Sequence, residues 1–126
     1  MLIVAVALAT GQIWQAGYPL REGMCVGRPK ARHTLALPGF GGKTRANALS
    51  QFRYDSGKMT VSLPRPSADA TAPAMIEVRG LAPEAPDIFG GTIDDPNGRA
   101  IKVRYDWTRN ELTLSDASWS FRGKCS

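Results

Sequence analysis

Residues 100–107 read AIKVRYDW, so Ile101, Val103, Tyr105 and Trp107 alternate with Lys102, Arg104 and Asp106. Successive side chains of a strand point to opposite faces, and this period of two predicts a half-buried strand over Ala100–Trp107. Thr108-Arg109-Asn110 supplies a turn. Leu112 and Leu114 then return on the apolar face, with Thr113 and Ser115 outside, and Trp119 and Phe121 carry the alternation toward Cys125. An earlier segment has the same form. Phe52 and Tyr54 lead into Asp55-Ser56-Gly57, and Met59, Val61 and Leu63 follow. Gly57 stands where a type I turn with a G1 bulge needs a positive φ. His33–Leu37 and Met75–Arg79 are weaker strand candidates. Thr44–Phe52 comes nearest to a helix, with Ala46, Ala48 and Leu49, but it has no caps. Two Pro-rich stretches, Pro64–Ala74 and Leu81–Asp87, read as exposed connectors.

The two hairpin patterns also share sequence. "FGGKTRANALSQFRYDSGKMTVS" begins at Phe40 and "FGGTIDDPNGRAIKVRYDWTRNELTLS" at Phe89. Each holds Phe-Gly-Gly, then Arg-Tyr-Asp, then an apolar–Thr–apolar–Ser run. Similarity at a fixed period marks a repeated unit, here over 33–63 and 76–115. In structural terms Gly-Gly permits a tight bend, Phe and Tyr bury, and Arg and Asp pair across the outer face of a sheet. The expected fold is all-β: a small antiparallel sandwich or barrel, built from two degenerate strand–loop–hairpin units.

Composition agrees. The chain has 126 residues, 43% of them apolar and 21% charged, with 13 Gly and 9 Pro. One domain with one modest core fits that length. Scattered Gly and Pro suit many turns between short strands. The formal charge of +5 favours anionic neighbours: membrane headgroups, polyanionic sugars or nucleic acid.

The N-terminus and the cysteines bear on compartment. Leu2–Ala9 is an unbroken apolar run, far short of the ~20 residues a bilayer span needs. With Ala7-Leu8-Ala9 as an A-x-A pattern it predicts a signal peptide over 1–16, cleaved within 9–16, ahead of a domain over 17–126. No Lys or Arg precedes the run, as in a signal shortened at its start; a buried strand is the other reading. Cys25 and Cys125 are the only cysteines. In an exported chain they would pair and close a loop of ~100 residues. Nothing around them suits metal or redox chemistry. The expected location is periplasmic or secreted, with the cytoplasm as alternative, and no membrane span.

Candidate chemistry is sparse. "GFGGKT" over 39–44 lacks the first Gly of a phosphate loop. Asp94-Asp95-Pro96-Asn97-Gly98 lacks the alternating ligands of a calcium loop and reads as a turn. His33, the single histidine, has no nucleophile context. Glu84, Asp87, Asp94 and Asp95 are the carboxylates from which a glycosidase pair would be drawn, but nothing in sequence sets their separation. No cofactor or metal site emerges, and no catalytic residue. What remains is a basic group, Arg28, Lys30 and Arg32 with Lys43 and Arg45, together with Trp14, the tryptophan in the least apolar context. These are the candidate ligand contacts. The function expected is a non-catalytic binding or inhibitor module for a protein or an anionic glycan. The alternatives are a cytosolic basic barrel that binds single-stranded nucleic acid, or an enzyme whose site does not show in sequence.

Overall fold

The computed structural model describes residues 18–31, 47–66 and 72–126. Among these residues eleven strands form one antiparallel sheet: β1 (Arg21–Gly27), β2 (Lys30–Ala31), β3 (Ala48–Asp55), β4 (Lys58–Val61), β5 (Arg65–Pro66), β6 (Ile76–Glu77), β7 (Arg79–Ala85), β8 (Ile88–Asp94), β9 (Ala100–Asp106), β10 (Glu111–Ser115) and β11 (Trp119–Cys125). The hydrogen-bonded order runs β6-β4-β3-β1-β11-β10-β9-β8-β7. Its two ends, β6 and β7, are one run of chain on either side of Val78. The first half of that run pairs with β4 and the second with β8, and the Val78 N–H donates to the Met59 carbonyl at 2.8 Å. The sheet therefore comes nearly full circle. It is an up-and-down barrel in which β1, β3, β4, β6–β7, β8, β9, β10 and β11 are successive staves, and β2 and β5 are short extensions paired to β11 and β3.

The alternation read in the sequence decides which side of each stave faces in. Ile101, Val103 and Tyr105 of β9, Leu112 and Leu114 of β10, and Phe121 of β11 are buried, as are Phe52, Tyr54, Met59 and Val61 of the β3–β4 hairpin. A barrel of this strand number is just wide enough to fill with side chains, and large aromatic and aliphatic groups fill this one. The sandwich alternative gives way to this closed arrangement.

First and last staves meet side by side. Cys25 lies opposite Cys125 in the β1–β11 register, and the two form a disulfide across a sequence separation of 100. Met24 and Ser126 exchange backbone hydrogen bonds at 3.0 Å next to it. The disulfide pair is thus the close, non-hydrogen-bonded kind, with a Cα–Cα distance of 3.8 Å.

Several expectations need correction. Helix over Thr44–Phe52 is replaced from Ala48 onward by β3, because Ala48, Ser50, Phe52 and Tyr54 alternate inward. Leu81–Asp87 is a loop only at Pro86-Asp87: Arg79–Ala85 is a strand, largely exposed, at the end of the sheet path where Pro83 is tolerated. The Pro64–Ala74 connector contains β5 at its start. Gly90 and Gly91 make no bend but run extended within β8, both with negative-side φ, unlike Gly57, Gly80 and Gly98. Ser56 and Gly57 both take positive φ, 52° and 84°, in a two-residue loop between paired Asp55 and Lys58. That is a type I′ hairpin turn, not a type I turn with a bulge. β9 ends at Asp106, so Trp107 belongs to the following turn. Leu2–Ala9, His33–Leu37 and Phe40-Gly41-Gly42 lie outside the described residues.

Candidate anion-binding face

The strand register defines the outer surface of the last four staves. One row across it reads Thr92, Lys102, Ser115, Ser120, Lys30, from β8 to β2. The next reads Gly90, Arg104, Thr113, Arg122, and the third Ile88, Asp106, Glu111, Lys124. These positions are outward because their neighbours in each strand fill the barrel.

Charge is divided between two residue types. The arginines have carboxylate partners: Arg104 with Glu84 at 2.9 Å, Arg99 with Asp116 at 3.5 Å, Arg122 with Glu111 at 3.8 Å and Arg109 with Asp106 at 3.9 Å. Lys30 and Lys102 are exposed and make no ion pair among the described residues. Lys124 stands beside Glu111 in the register, which offsets its charge. The face thus presents two cations at the ends of a row of hydroxyls. At the usual ~4.8 Å between strands, the Lys102 and Lys30 backbones are about 14 Å apart.

Glycine helps shape this face. Glu84 of β7 reaches Arg104 of β9 by passing over β8, and a Cβ on Gly90 would fall 2.0 Å from the Glu84 Oε2. Any other residue there would displace the Glu84 carboxylate. At the other border Asp116 organises the turn between β10 and β11. Its Oδ1 accepts from the Ser118 N–H at 2.7 Å, the Ser118 hydroxyl at 2.9 Å and the Trp119 N–H at 3.1 Å. Burial works to raise the Asp116 carboxyl, but these donors and Arg99 outweigh it, and its pKa falls below the ordinary value. The anchored turn forms one wall of a cleft whose other wall is Lys30 and Ala31, with Trp119 and Ser120 between them. Two more depressions open on the same side of the barrel, one beside Lys102, Arg104 and Ser115 and one beside Arg104, Glu111 and Arg122.

Of the residues expected to contact a ligand, Arg28 and Lys30 are both exposed, on either side of buried Pro29, and Lys30 lines the cleft. Arg32, Lys43, Arg45 and Trp14 lie outside the described residues, as does His33. Lys102, Ser115 and Ser120 were missed as a group. Alternation marks each as outward, but only the register places them in line with Lys30.

The four carboxylates weighed for glycoside cleavage do not gather. Glu84 binds Arg104, and Asp94 binds Arg79 through two contacts at 2.9 and 3.1 Å. The Arg79 hydrogen bond holds the Asp94 carboxyl below its ordinary pKa. Asp95 accepts from the Asn97 and Arg99 N–H groups at 2.9 and 2.8 Å and so organises the turn that follows β8. Asp87 accepts from the Tyr18 and Thr108 hydroxyls at the opposite end of the barrel.

That opposite end is an aromatic plug. Tyr18, Tyr54, Phe89 and Tyr105 surround Trp107, at ring-centroid distances of 4.8, 5.5, 6.3 and 5.9 Å. The Arg21 guanidinium covers the Trp107 ring at 3.9 Å, and donates to the Tyr105 hydroxyl at 2.9 Å and the Trp107 carbonyl at 2.8 Å. Tyr105 in turn donates to the Asn110 side chain, whose amide donates to the Cys125 carbonyl at 2.9 Å. The groups here satisfy one another and lock the barrel end.

Comparison of the chain with protein-family models, curated proteins and solved structures returns no match to any of them.

Proposed function

We propose that the chain is an exported, non-catalytic binding module that holds an anionic glycan against the outer face of β9–β10–β11–β2. The observation that carries this reading is the row Lys102, Ser115, Ser120, Lys30. Exposed lysines without a carboxylate partner attract sulfate or carboxylate groups, and hydroxyls between them suit the hydrogen-bonding pattern of a sugar chain. The carboxylates of the face are engaged by arginines and turn amides, which leaves no free acid–base pair there among the described residues. A nucleic-acid strand would want open aromatic surfaces for its bases. Trp119 is only 6% exposed and one face of Trp107 is taken by Arg21, so neither offers one. The Cys25–Cys125 disulfide supports an oxidising compartment.

Heparin serves as the test ligand. The Lys30→Glu/Lys102→Glu variant should bind it roughly tenfold more weakly at low salt. Lys58→Glu, on the β3–β4 hairpin, is the control for charge alone. If the double variant binds as well as the parent, or if Lys58→Glu weakens binding as much per charge, the reading fails.

A further inference from the structure

Residues 20–30 present a second, different face. With Cys25 facing the core, the outward positions are Leu20, Glu22, Met24, Val26, Arg28 and Lys30. Leu20, Met24 and Val26 are 54%, 45% and 40% exposed, and Met75 is the only other large apolar side chain so exposed among the described residues. The stripe widens at one point: Leu49 of β3 is opposite Val26, with Lys124 on one side of this pair and Arg65 on the other. Two exposed cations, Arg28 and Lys30, follow this apolar centre just beyond it along the chain. The one acid in line, Glu22, is paired to Arg53 at 2.6 Å.

We propose that this stripe docks the barrel on an anionic lipid surface, with Met24, Val26 and Leu49 entering the headgroup–acyl boundary and Arg28 and Lys30 meeting the phosphates. Apolar side chains rimmed by cations are what such a surface binds. Shape favours it as well. A barrel wall is convex, so a flat bilayer touches it along about one strand, and from Leu20 to Val26 the stripe runs about 20 Å. Two convex stripes from two copies of the chain would meet along a line and bury far less than the roughly 1,200 Å² of a stable interface. The inference does not need the glycan reading, because its apolar residues take no part in the lysine–hydroxyl row.

The test uses the disulfide-bonded protein and vesicles of phosphatidylcholine with roughly one-third phosphatidylglycerol. The parent should sediment with these vesicles and not with pure phosphatidylcholine. Met24→Ser/Val26→Ser, which retains every cation, should lose roughly tenfold in vesicle binding while its heparin affinity stays at the parent's value. Val26→Trp supplies a reporter whose emission should shift to the blue on adding anionic vesicles. The proposal is overturned if the parent ignores anionic vesicles, if the serine variant binds them undiminished, or if the reporter stays water-exposed. Concentration-dependent self-association that the serine variant abolishes would assign the stripe to a second copy and overturn it too.

Discussion

The β3–β4 and β9–β10 hairpins share Arg-Tyr-Asp and an apolar–Thr–apolar–Ser run, yet sit in different surroundings. Both bury the Tyr of Arg-Tyr-Asp, send the Arg outward, and return with two inward apolar residues around an outward Thr. Their connections differ: β3–β4 turns through Ser56-Gly57, while β9–β10 uses the four-residue loop Trp107–Asn110, in which Asn110 takes φ 52°. The longer loop lets Trp107 fold under Arg21 and lets Asn110 bridge Tyr105 to the Cys125 strand. Neighbours differ too. Beside β9 lies β8, with Phe89-Gly90-Gly91, but beside β3 lies β1, which reads Glu22-Gly23-Met24. The shared pattern thus fixes how each hairpin sits in the wall, and the strands on either side decide what its outer face lies beside. β9–β10 carries half of the lysine–hydroxyl row. β3 supplies Leu49 and Arg53 to the face of β1.

The largest effect should come from the seam that joins the first and last staves. Cys25→Ser/Cys125→Ser removes the covalent link between β1 and β11, and guanidinium unfolding should show a loss of up to ~4–5 kcal/mol, the chain-entropy value for so long a loop. Next come the tyrosines. Tyr105→Phe removes contacts to Arg21 and Asn110 and should cost about 1–3 kcal/mol. Tyr54→Phe should cost less, since the aromatic ring that packs against Phe89 and Trp107 is retained. Burial is the main cause that raises the pKa of both tyrosines above 10.0. Their neutral forms are favoured in the fold, so stability holds below about pH 10 and declines as pH rises beyond it, which pH-dependent unfolding will show. The smallest effects separate the turns. Gly57→Ala must place a side chain at φ 84° and should cost about 1–2 kcal/mol. At Asn110 the conformation suits Gly too, but Asn110→Gly should still destabilise, by about 1 kcal/mol, because the amide bridge is lost.

Much of this wall was legible in the sequence. Strict alternation gave β9, β10, β11 and most of the β3–β4 hairpin, because a half-buried strand must alternate. β1 was not legible: its outer positions hold Met24 and Val26, with Leu20 just ahead of it, so apolar residues fall on both faces and the period is lost. β7 was hidden by Pro83, which signals a loop locally but is tolerated on a strand paired only to β8, and by Pro86 in the turn just beyond it. The candidate face was half legible. Arg28 and Lys30 stood out as a cluster, whereas Lys102, 72 residues beyond Lys30, joins them only once the barrel closes. Cross-strand register depends on all the staves together, and no local pattern contains it.

The most direct test of the binding face is an NMR titration of the isotope-labelled protein with a sulfated heparin oligosaccharide. The account predicts that amide shifts concentrate on Lys30, Lys102, Ser115, Ser120 and the 116–119 turn, and that residues around Trp107 stay still. Shifts centred on Tyr18, Arg21 and Trp107, with the lysine row silent, would contradict it.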